Sequence, residues 1–153
     1  MLLKKGKKIN SIKKGSVTDK AKLITFHKSK PLLPIIENLM VKSDNLTAEL
    51  LIKTIGFEAN KKEGNWKNGL EEVRKFINDS VGIDTATFSI QDGSGVSRYN
   101  YGSPSQYIDL LKWVYNNKAI RDQFINTLPN STPKGVLNKR SLPNKVYAKT
   151  GSL

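Results

Sequence analysis

The sequence predicts a mixed α/β chain that forms one domain, or most of one. Its 153 residues are 37% hydrophobic, which is enough for one core of ordinary size. Apolar residues recur at helical spacing in several segments, and short runs of β-branched and aromatic residues lie between them. No apolar stretch approaches the ~20 residues that a membrane-spanning helix needs. The chain has no cysteine, which excludes disulfides and thiolate chemistry.

Five helices are expected from the spacing of apolar residues and from the residues that can cap them. In chain order they occupy residues 31–41, 46–55, 69–81, a segment opened by Ser103-Pro104, and 118–127. Gly56 is expected to end the second helix, and Asn68 to cap the third. Serine followed by proline is a typical helix start, because proline lacks only an N–H that would be unpaired there.

Three short strands are expected between and after these helices, at residues 22–26, 85–90 and 145–149. Each run alternates in polarity or is rich in β-branched and aromatic residues. Polar segments at 57–67 and 128–144 are expected to be loops. The last strand leads directly into Lys149-Thr150-Gly151, close to the end of the chain.

The charge is concentrated at the N-terminus. The net charge is +13, and residues 1–30 contain ten lysines and a single acid, Asp19. Such a segment can bind nucleic acid, anionic lipid or an acidic polymer. Residues 1–25 nevertheless contain no arginine and no aromatic residue that could stack on bases. We therefore divide the chain into a solvated basic segment, residues 1–20, and a domain, residues 21–153, and expect no nucleic-acid partner.

Two short motifs are the candidates for chemistry. Ser43-Asp44-Asn45 directly precedes an apolar helix, and Lys149-Thr150-Gly151 ends a predicted strand. Each tripeptide alone is typical of a helix cap or a turn. In this order, the two are typical of penicillin-binding proteins and class A β-lactamases.

Four segments resemble one family, the low-molecular-mass class C penicillin-binding proteins, which are D-alanyl-D-alanine carboxypeptidases and endopeptidases. They are residues 29–56, the DGSGVSRYN segment at 92–100, Gly135-Val136-Leu137 with Arg140, and the AKTGSL segment at 148–153. The resemblance spans roughly residues 20–153 and keeps the family order, although Val136 stands where the family has threonine.

The resemblance implies a transpeptidase-like α/β domain in which helices pack on an antiparallel sheet. It implies a serine-type peptidase that cleaves peptidoglycan stem peptides ending in D-Ala-D-Ala through an acyl-enzyme. β-Lactams would be covalent inhibitors of the intact protein, and no cofactor or metal is expected. Because peptidoglycan lies outside the cytoplasmic membrane, the implied location is the periplasm or cell envelope.

The resemblance also implies residue roles. Ser43 would relay a proton to the leaving amine, Asn45 would hold the substrate peptide, and Lys149 would supply a fixed positive charge. Three residues would bind the substrate. The Thr150 hydroxyl would bind its carboxylate, Gly151 would leave room for its backbone because it has no Cβ, and the Ser152 N–H would donate to the oxyanion.

Further residues near these motifs are expected to be structural. Asp92-Gly93-Ser94-Gly95 is interpreted as a tight turn capped by Asp92; a calcium loop would need more oxygen ligands and a closing glutamate. Arg140 is expected either to pair with a carboxylate near the cleft or to lie on the surface.

The nucleophile motif S-x-x-K has one formal match, Ser11-Ile12-Lys13-Lys14, in a lysine-rich segment without an apolar helix. We interpret this match as coincidence and expect a domain that is truncated at both ends and inactive alone. Two alternatives stay open. A class A β-lactamase would show an E-x-x-L-N loop, which residues 75–85 lack. A non-catalytic basic module would bind an anionic polymer in a salt-dependent way.

Overall fold

The computed structural model describes residues 11, 13–132, 135–140, 142 and 145–151. Within these residues the chain forms five α-helices: α1 Leu32–Lys42, α2 Asn45–Asn60, α3 Trp66–Phe76, α4 Pro104–Asn116 and α5 Arg121–Thr127. A π-helical turn, Ile77–Val81, continues α3, and 3-10 turns occupy Thr85–Thr87 and Asn138–Arg140. None of the helices described here is long and apolar enough to cross a membrane.

The five predicted helices are confirmed, but several of their ends differ from the prediction; α5 begins at Arg121 and not at residue 118, and α3 gives way to a π-helical turn after Phe76. Helix α2 runs through Gly56 and ends at Asn60, with Lys61 in the left-handed conformation at its C-cap. The prediction for Gly56 was wrong because this glycine serves helix packing rather than helix termination. Helix α3 begins one turn earlier than predicted, since the side chain of Asn65, not Asn68, caps it by accepting a hydrogen bond from the Asn68 N–H at 2.9 Å.

The start of α4 is confirmed in detail. The Ser103 hydroxyl accepts a hydrogen bond from the Gln106 N–H, and the Gln106 side chain accepts one from the Ser103 N–H at 2.7 Å. Two N–H groups that have no partner within the helix are thereby satisfied. The Gln106 amide also donates to the hydroxyl and carbonyl of Thr87, which ties α4 to the preceding 3-10 turn.

Helices α2 and α3 approach each other until their backbones are in contact. A Cβ placed on Gly69 would lie 2.0 Å from the Ile52 carbonyl oxygen, and one on Gly56 would lie 2.7 Å from the Gly69 nitrogen. Only glycine permits such an approach. Helix α1 packs on both α5 and α2, and α4 packs on α5.

The core is assembled from several elements rather than from one face. Its most buried apolar side chains are Leu70 of α3, Phe88, Val114 of α4, and Leu137. Near them, the rings of Phe76 and Trp113 meet edge to face with centroids 5.1 Å apart, a favourable geometry for aromatic pairs.

The predicted antiparallel sheet is not confirmed. Within the described ranges, the extended pairing consists of two isolated antiparallel bridges, Ser89 with Tyr101 and Asn130 with Tyr147. Thr85–Thr87 is a 3-10 turn instead of the start of a strand, because Asp84 caps it through the Ala86 N–H at 2.9 Å.

The segment 22–26 forms no strand, and its Ile24 is 95% exposed. A strand exists only where a neighbouring strand accepts its hydrogen bonds, and no described segment lies beside 22–26 in that way. Residues 22–26 are therefore not a strand in the described chain, and the other two predicted strands are reduced to single bridges at Ser89 and Tyr147, with residues 146–148 paired to the segment that follows α5.

We expect Gly69→Ala to destabilise the chain, by roughly 1–3 kcal/mol or more, because the new Cβ meets backbone atoms that cannot rotate away. In an unobstructed helix the same change would stabilise the protein by about 0.5–1 kcal/mol. The sign of the change in the free energy of unfolding therefore distinguishes the two cases. Urea unfolding followed by circular dichroism measures it. Gly15→Ala is the control, since nothing lies within 4 Å of a Cβ there; equal stability of the two variants would contradict the close crossing.

Candidate active site

The sharp corner between α1 and α2 is built by Ser43 and Asp44. Ser43 ends α1 with φ 52°, a left-handed conformation that non-glycine residues rarely adopt, and its N–H donates to the Leu39 carbonyl. The Asp44 carboxylate caps α2, accepting hydrogen bonds from the Thr47 N–H at 3.3 Å and the Thr47 hydroxyl at 2.8 Å. The corner leaves the Ser43 side chain exposed at the entrance of α2.

Asp44 is committed to the helix rather than to chemistry. The hydrogen bonds from the Thr47 side chain and backbone outweigh the opposing effect of burial and hold the pKa of Asp44 below its usual value. A carboxylate that caps an N-terminus in this way also interacts favourably with the helix dipole.

The Lys149 side chain reaches the same corner from the other end of the chain. Two backbone hydrogen bonds align 146–148 with the segment after α5, from Ser131 N–H to the Val146 carbonyl at 3.0 Å and from Ala148 N–H to the Pro129 carbonyl at 2.9 Å. Because α5 packs on α1, this pairing brings the end of the chain to the C-terminus of α1.

The Lys149 ammonium donates a hydrogen bond of 2.5 Å to the Ser43 hydroxyl and one of 2.6 Å to the Thr150 carbonyl. Ser43, Asn45 and Lys149 are all exposed to solvent, so a substrate can reach them. Ser43 and Lys149 are 106 positions apart in the sequence. The two sequence motifs therefore meet in one place. A hydroxyl hydrogen-bonded to an ammonium can accept a proton on one side and donate on the other.

The predicted substrate-binding residues adjoin this pair. Thr150 is half-buried, Gly151 is exposed, and no heavy atom lies within 4 Å of a Cβ placed on Gly151. The space beside Gly151 is thus open for a ligand backbone. The third of these residues, Ser152, lies outside the described residues, as does Ile12 of the formal S-x-x-K match.

The Asp92–Gly95 segment is a turn with a dense set of hydrogen bonds. The Asp92 carboxylate accepts from the Gly95 N–H at 2.8 Å, the Ser97 N–H at 2.6 Å and the Asn100 amide at 2.9 Å. Gly95 has φ +82°, which explains glycine at that position. The turn borders a largely apolar groove of about 840 Å³ that is also lined by Val96 and Tyr107.

Glu49 is a residue of this region that the sequence interpretation treats only as part of a helix. Its carboxylate accepts hydrogen bonds from the Trp66 indole at 2.7 Å, the Gly93 N–H at 3.1 Å and the Ser94 N–H at 3.0 Å. Burial alone raises the pKa of Glu49, but the hydrogen bonds from Ser94, Trp66 and Gly93 outweigh it and lower the pKa. The available signal was an acidic residue on α2 four positions after Asn45, on the same helix face.

The motif of Gly135-Val136-Leu137 with Arg140 has a structural part and an exposed part. A Cβ on Gly135 would lie 2.1 Å from the Asn130 carbonyl oxygen, and the Leu137 N–H donates to that carbonyl at 3.0 Å. Gly135 and Leu137 thereby support the segment that aligns Lys149. Arg140 is exposed and forms no ion pair with any carboxylate that the structure describes. No group of three potential metal ligands was found among the described residues.

Comparison with known proteins assigns the chain to a family. The model of the D-Ala-D-Ala carboxypeptidase 3 (S13) family matches residues 1–153. The chain belongs to this family. The resemblance that its motifs indicate is thereby confirmed.

Three curated relatives carry consistent names. D-alanyl-D-alanine carboxypeptidase DacB of Haemophilus influenzae is 30% identical over 137 residues, which are 86% of this chain and 28% of that protein. Penicillin-sensitive carboxypeptidase A of Dictyostelium discoideum is 30% identical over 82% of the chain and 25% of its own length. D-alanyl-D-alanine carboxypeptidase of Actinomadura sp. strain R39 is 37% identical over 60% of the chain and 16% of its own length. The chain thus spans less than a third of each.

Solved structures agree with the fold. Penicillin-binding protein 4 of Haemophilus influenzae, in complex with a β-lactam, superimposes with a TM-score of 0.73 and 30% sequence identity, over 83% of this chain and 30% of that one. A second structure of the same protein gives a TM-score of 0.69. The helical arrangement described above is therefore part of a penicillin-binding protein fold.

We expect acid to weaken the packing around Glu49. Its pKa in the folded chain lies below the ordinary value of 4.5, so its contribution to stability is complete above that value and is lost as the pH falls through the folded-state pKa. Urea midpoints measured across this interval, with tryptophan fluorescence as the probe, are expected to fall more steeply for the wild type than for Glu49→Gln. Parallel curves would contradict the prediction.

Proposed function

We propose that this chain forms the Ser43–Asn45–Lys149 side of the active site of a serine-type D-alanyl-D-alanine carboxypeptidase or endopeptidase. The observation that carries the proposal is the hydrogen bond from the Lys149 ammonium to the Ser43 hydroxyl at the entrance of α2. Family membership supports it, as do relatives that are named for this activity.

In the proposed reaction, a serine attacks the carbonyl carbon between two D-alanines. The C–N bond breaks, the serine oxygen becomes an ester, and the departing amine of the terminal D-alanine takes up a proton. Ser43 is suited to deliver that proton and to recover one from the nucleophile, because its hydroxyl both donates and accepts. Water then hydrolyses the ester and releases the shortened peptide.

Lys149 has two consequences for this chemistry. Its positive charge beside the Ser43 oxygen favours the loss of a proton from that hydroxyl, and it stabilises negative charge that develops in the transition state. It also lies next to Thr150, whose hydroxyl we assign to the terminal carboxylate of the substrate. Asn45 would hold the substrate amide through its own side-chain amide.

Neither motif supplies the attacking serine, so we assign only supporting roles to these residues. Ser152 is proposed to donate its N–H to the oxyanion. The substrate would be a peptidoglycan stem peptide that ends in D-Ala-D-Ala, and β-lactams would acylate the intact protein as substrate mimics. Since that substrate lies outside the cytoplasmic membrane, we propose a periplasmic or cell-envelope location.

Binding of the substrate can be tested on the 153-residue chain itself. We expect N-acetylated stem peptide ending in D-Ala-D-Ala to shift the amide resonances of Ser43, Thr150 and Gly151 in a saturable manner. Lys149→Met should weaken this binding about tenfold, because the positive charge next to the Thr150 site of the substrate carboxylate is lost. Two-dimensional NMR titration provides the dissociation constant.

The control variant for this titration is Lys112→Met, since Lys112 lies on α4 in a solvent-exposed pair with Asp109. It removes the same charge without touching the corner. The peptide ending in L-Ala-L-Ala is the control ligand. Equal shifts with both peptides, or equal weakening by both variants, would contradict the assignment of the site.

Acylation gives a second prediction. The full-length gene product is expected to become covalently labelled by fluorescent penicillin, and Ser43→Ala should slow that labelling on the order of a hundredfold, because proton transfer contributes rate factors of this size. The 153-residue chain alone is expected to stay unlabelled. Labelling of the chain that maps to Ser11 by mass spectrometry would contradict the assignment of supporting roles only.

A further inference from the structure

One face of α2 carries a stripe of polar residues that connects the proposed site to α3. Asn45, Glu49 and Lys53 follow each other at intervals of four residues and therefore share a helix face. The Glu49 carboxylate accepts the hydrogen bond of the Trp66 indole at 2.7 Å, and the Lys53 ammonium lies 3.7 Å above the centre of the same ring. Glu49 is thus fixed from the side that faces away from Asn45.

The Asp92–Gly95 turn rests on this stripe directly. The N–H groups of Gly93 and Ser94 donate to the two oxygens of Glu49 at 3.1 and 3.0 Å. A Cβ on Gly93 would lie 2.6 Å from the Ala48 carbonyl oxygen, so the turn is in backbone contact with α2. The contact lies one helical turn after Asn45.

Asp92 ties the turn together through three hydrogen bonds, so its residues are held in a fixed arrangement. Its outer residues form an edge of the groove of about 840 Å³. A change in the position of Glu49 would therefore displace the whole edge relative to Asn45. A carboxylate suits the environment of Glu49, since N–H groups donate to both of its oxygens and a glutamine would turn an NH₂ group toward at least one of them.

We infer that Glu49 is a positioning residue of the proposed active site: its carboxylate holds the Asp92–Gly95 turn against α2 and so fixes the position of this turn one helical turn from Asn45. The inference rests on the proposed function. The inference goes beyond that function by assigning the position of the turn near Asn45 to a residue that does not contact the reacting atoms.

The experiment compares Glu49→Gln with Glu58→Gln in the 153-residue chain. Glu58 lies on the same helix and forms an exposed pair with Lys61, so its variant has the same change of charge. We expect Glu49→Gln to shift the Gly93 and Ser94 amide resonances and to weaken binding of the D-Ala-D-Ala peptide on the order of tenfold or more, because small displacements of positioning groups have effects of this size. Glu58→Gln should leave both unchanged.

The affinities are measured at a temperature at which circular dichroism shows each variant folded, so a loss of stability alone does not change them. Trp66→Phe is the second variant, since it removes one donor to Glu49 and keeps the carboxylate; it should weaken binding a few-fold. If the wild type binds the peptide, and Glu49→Gln and Trp66→Phe bind it with the wild-type affinity, the inference is wrong while the proposed function stands. If the wild type itself does not bind the peptide, the proposed function fails.

Discussion

The contact between the Lys149 ammonium and the Ser43 hydroxyl is the constraint on which the proposed site depends. It joins two segments that are far apart in the chain, and two independent features make it possible. The left-handed conformation of Ser43 turns the chain sharply between α1 and α2 and leaves the hydroxyl exposed. The packing of α5 on α1, together with the pairing of 146–148 after α5, delivers the lysine to that corner.

The local part of this arrangement can be predicted from the sequence. Helix periodicity locates α1 and α4, and Ser103 caps α4 as predicted from the Ser103-Pro104 pair. Predictions fail where a residue serves a distant partner. Gly56 has the composition of a helix end, but its function is to admit the backbone of α3, a demand that lies outside the local window.

The same reasoning explains the strands and Glu49. The segments 22–26 and 145–149 have strand composition, yet pairing depends on a neighbour that composition does not identify, and only residues 146–148 find one among the described residues. Glu49 receives N–H groups from Trp66 and the Asp92 turn. The periodicity of its own helix does not identify these partners, so the sequence predicts only a helical residue at this position.

The acidic residues around the two motifs share one property that indicates which ligand the site can bind. Asp44, Glu49 and Asp92 each accept N–H groups of the protein itself: the start of α2, the turn with the Trp66 indole, and the turn's own backbone. Their charges are therefore balanced locally by donors that the fold supplies. The Lys149 ammonium, by contrast, is exposed and bonded to a neutral hydroxyl and a carbonyl. A ligand that brings its own carboxylate would balance this charge, which is the property of a peptide C-terminus.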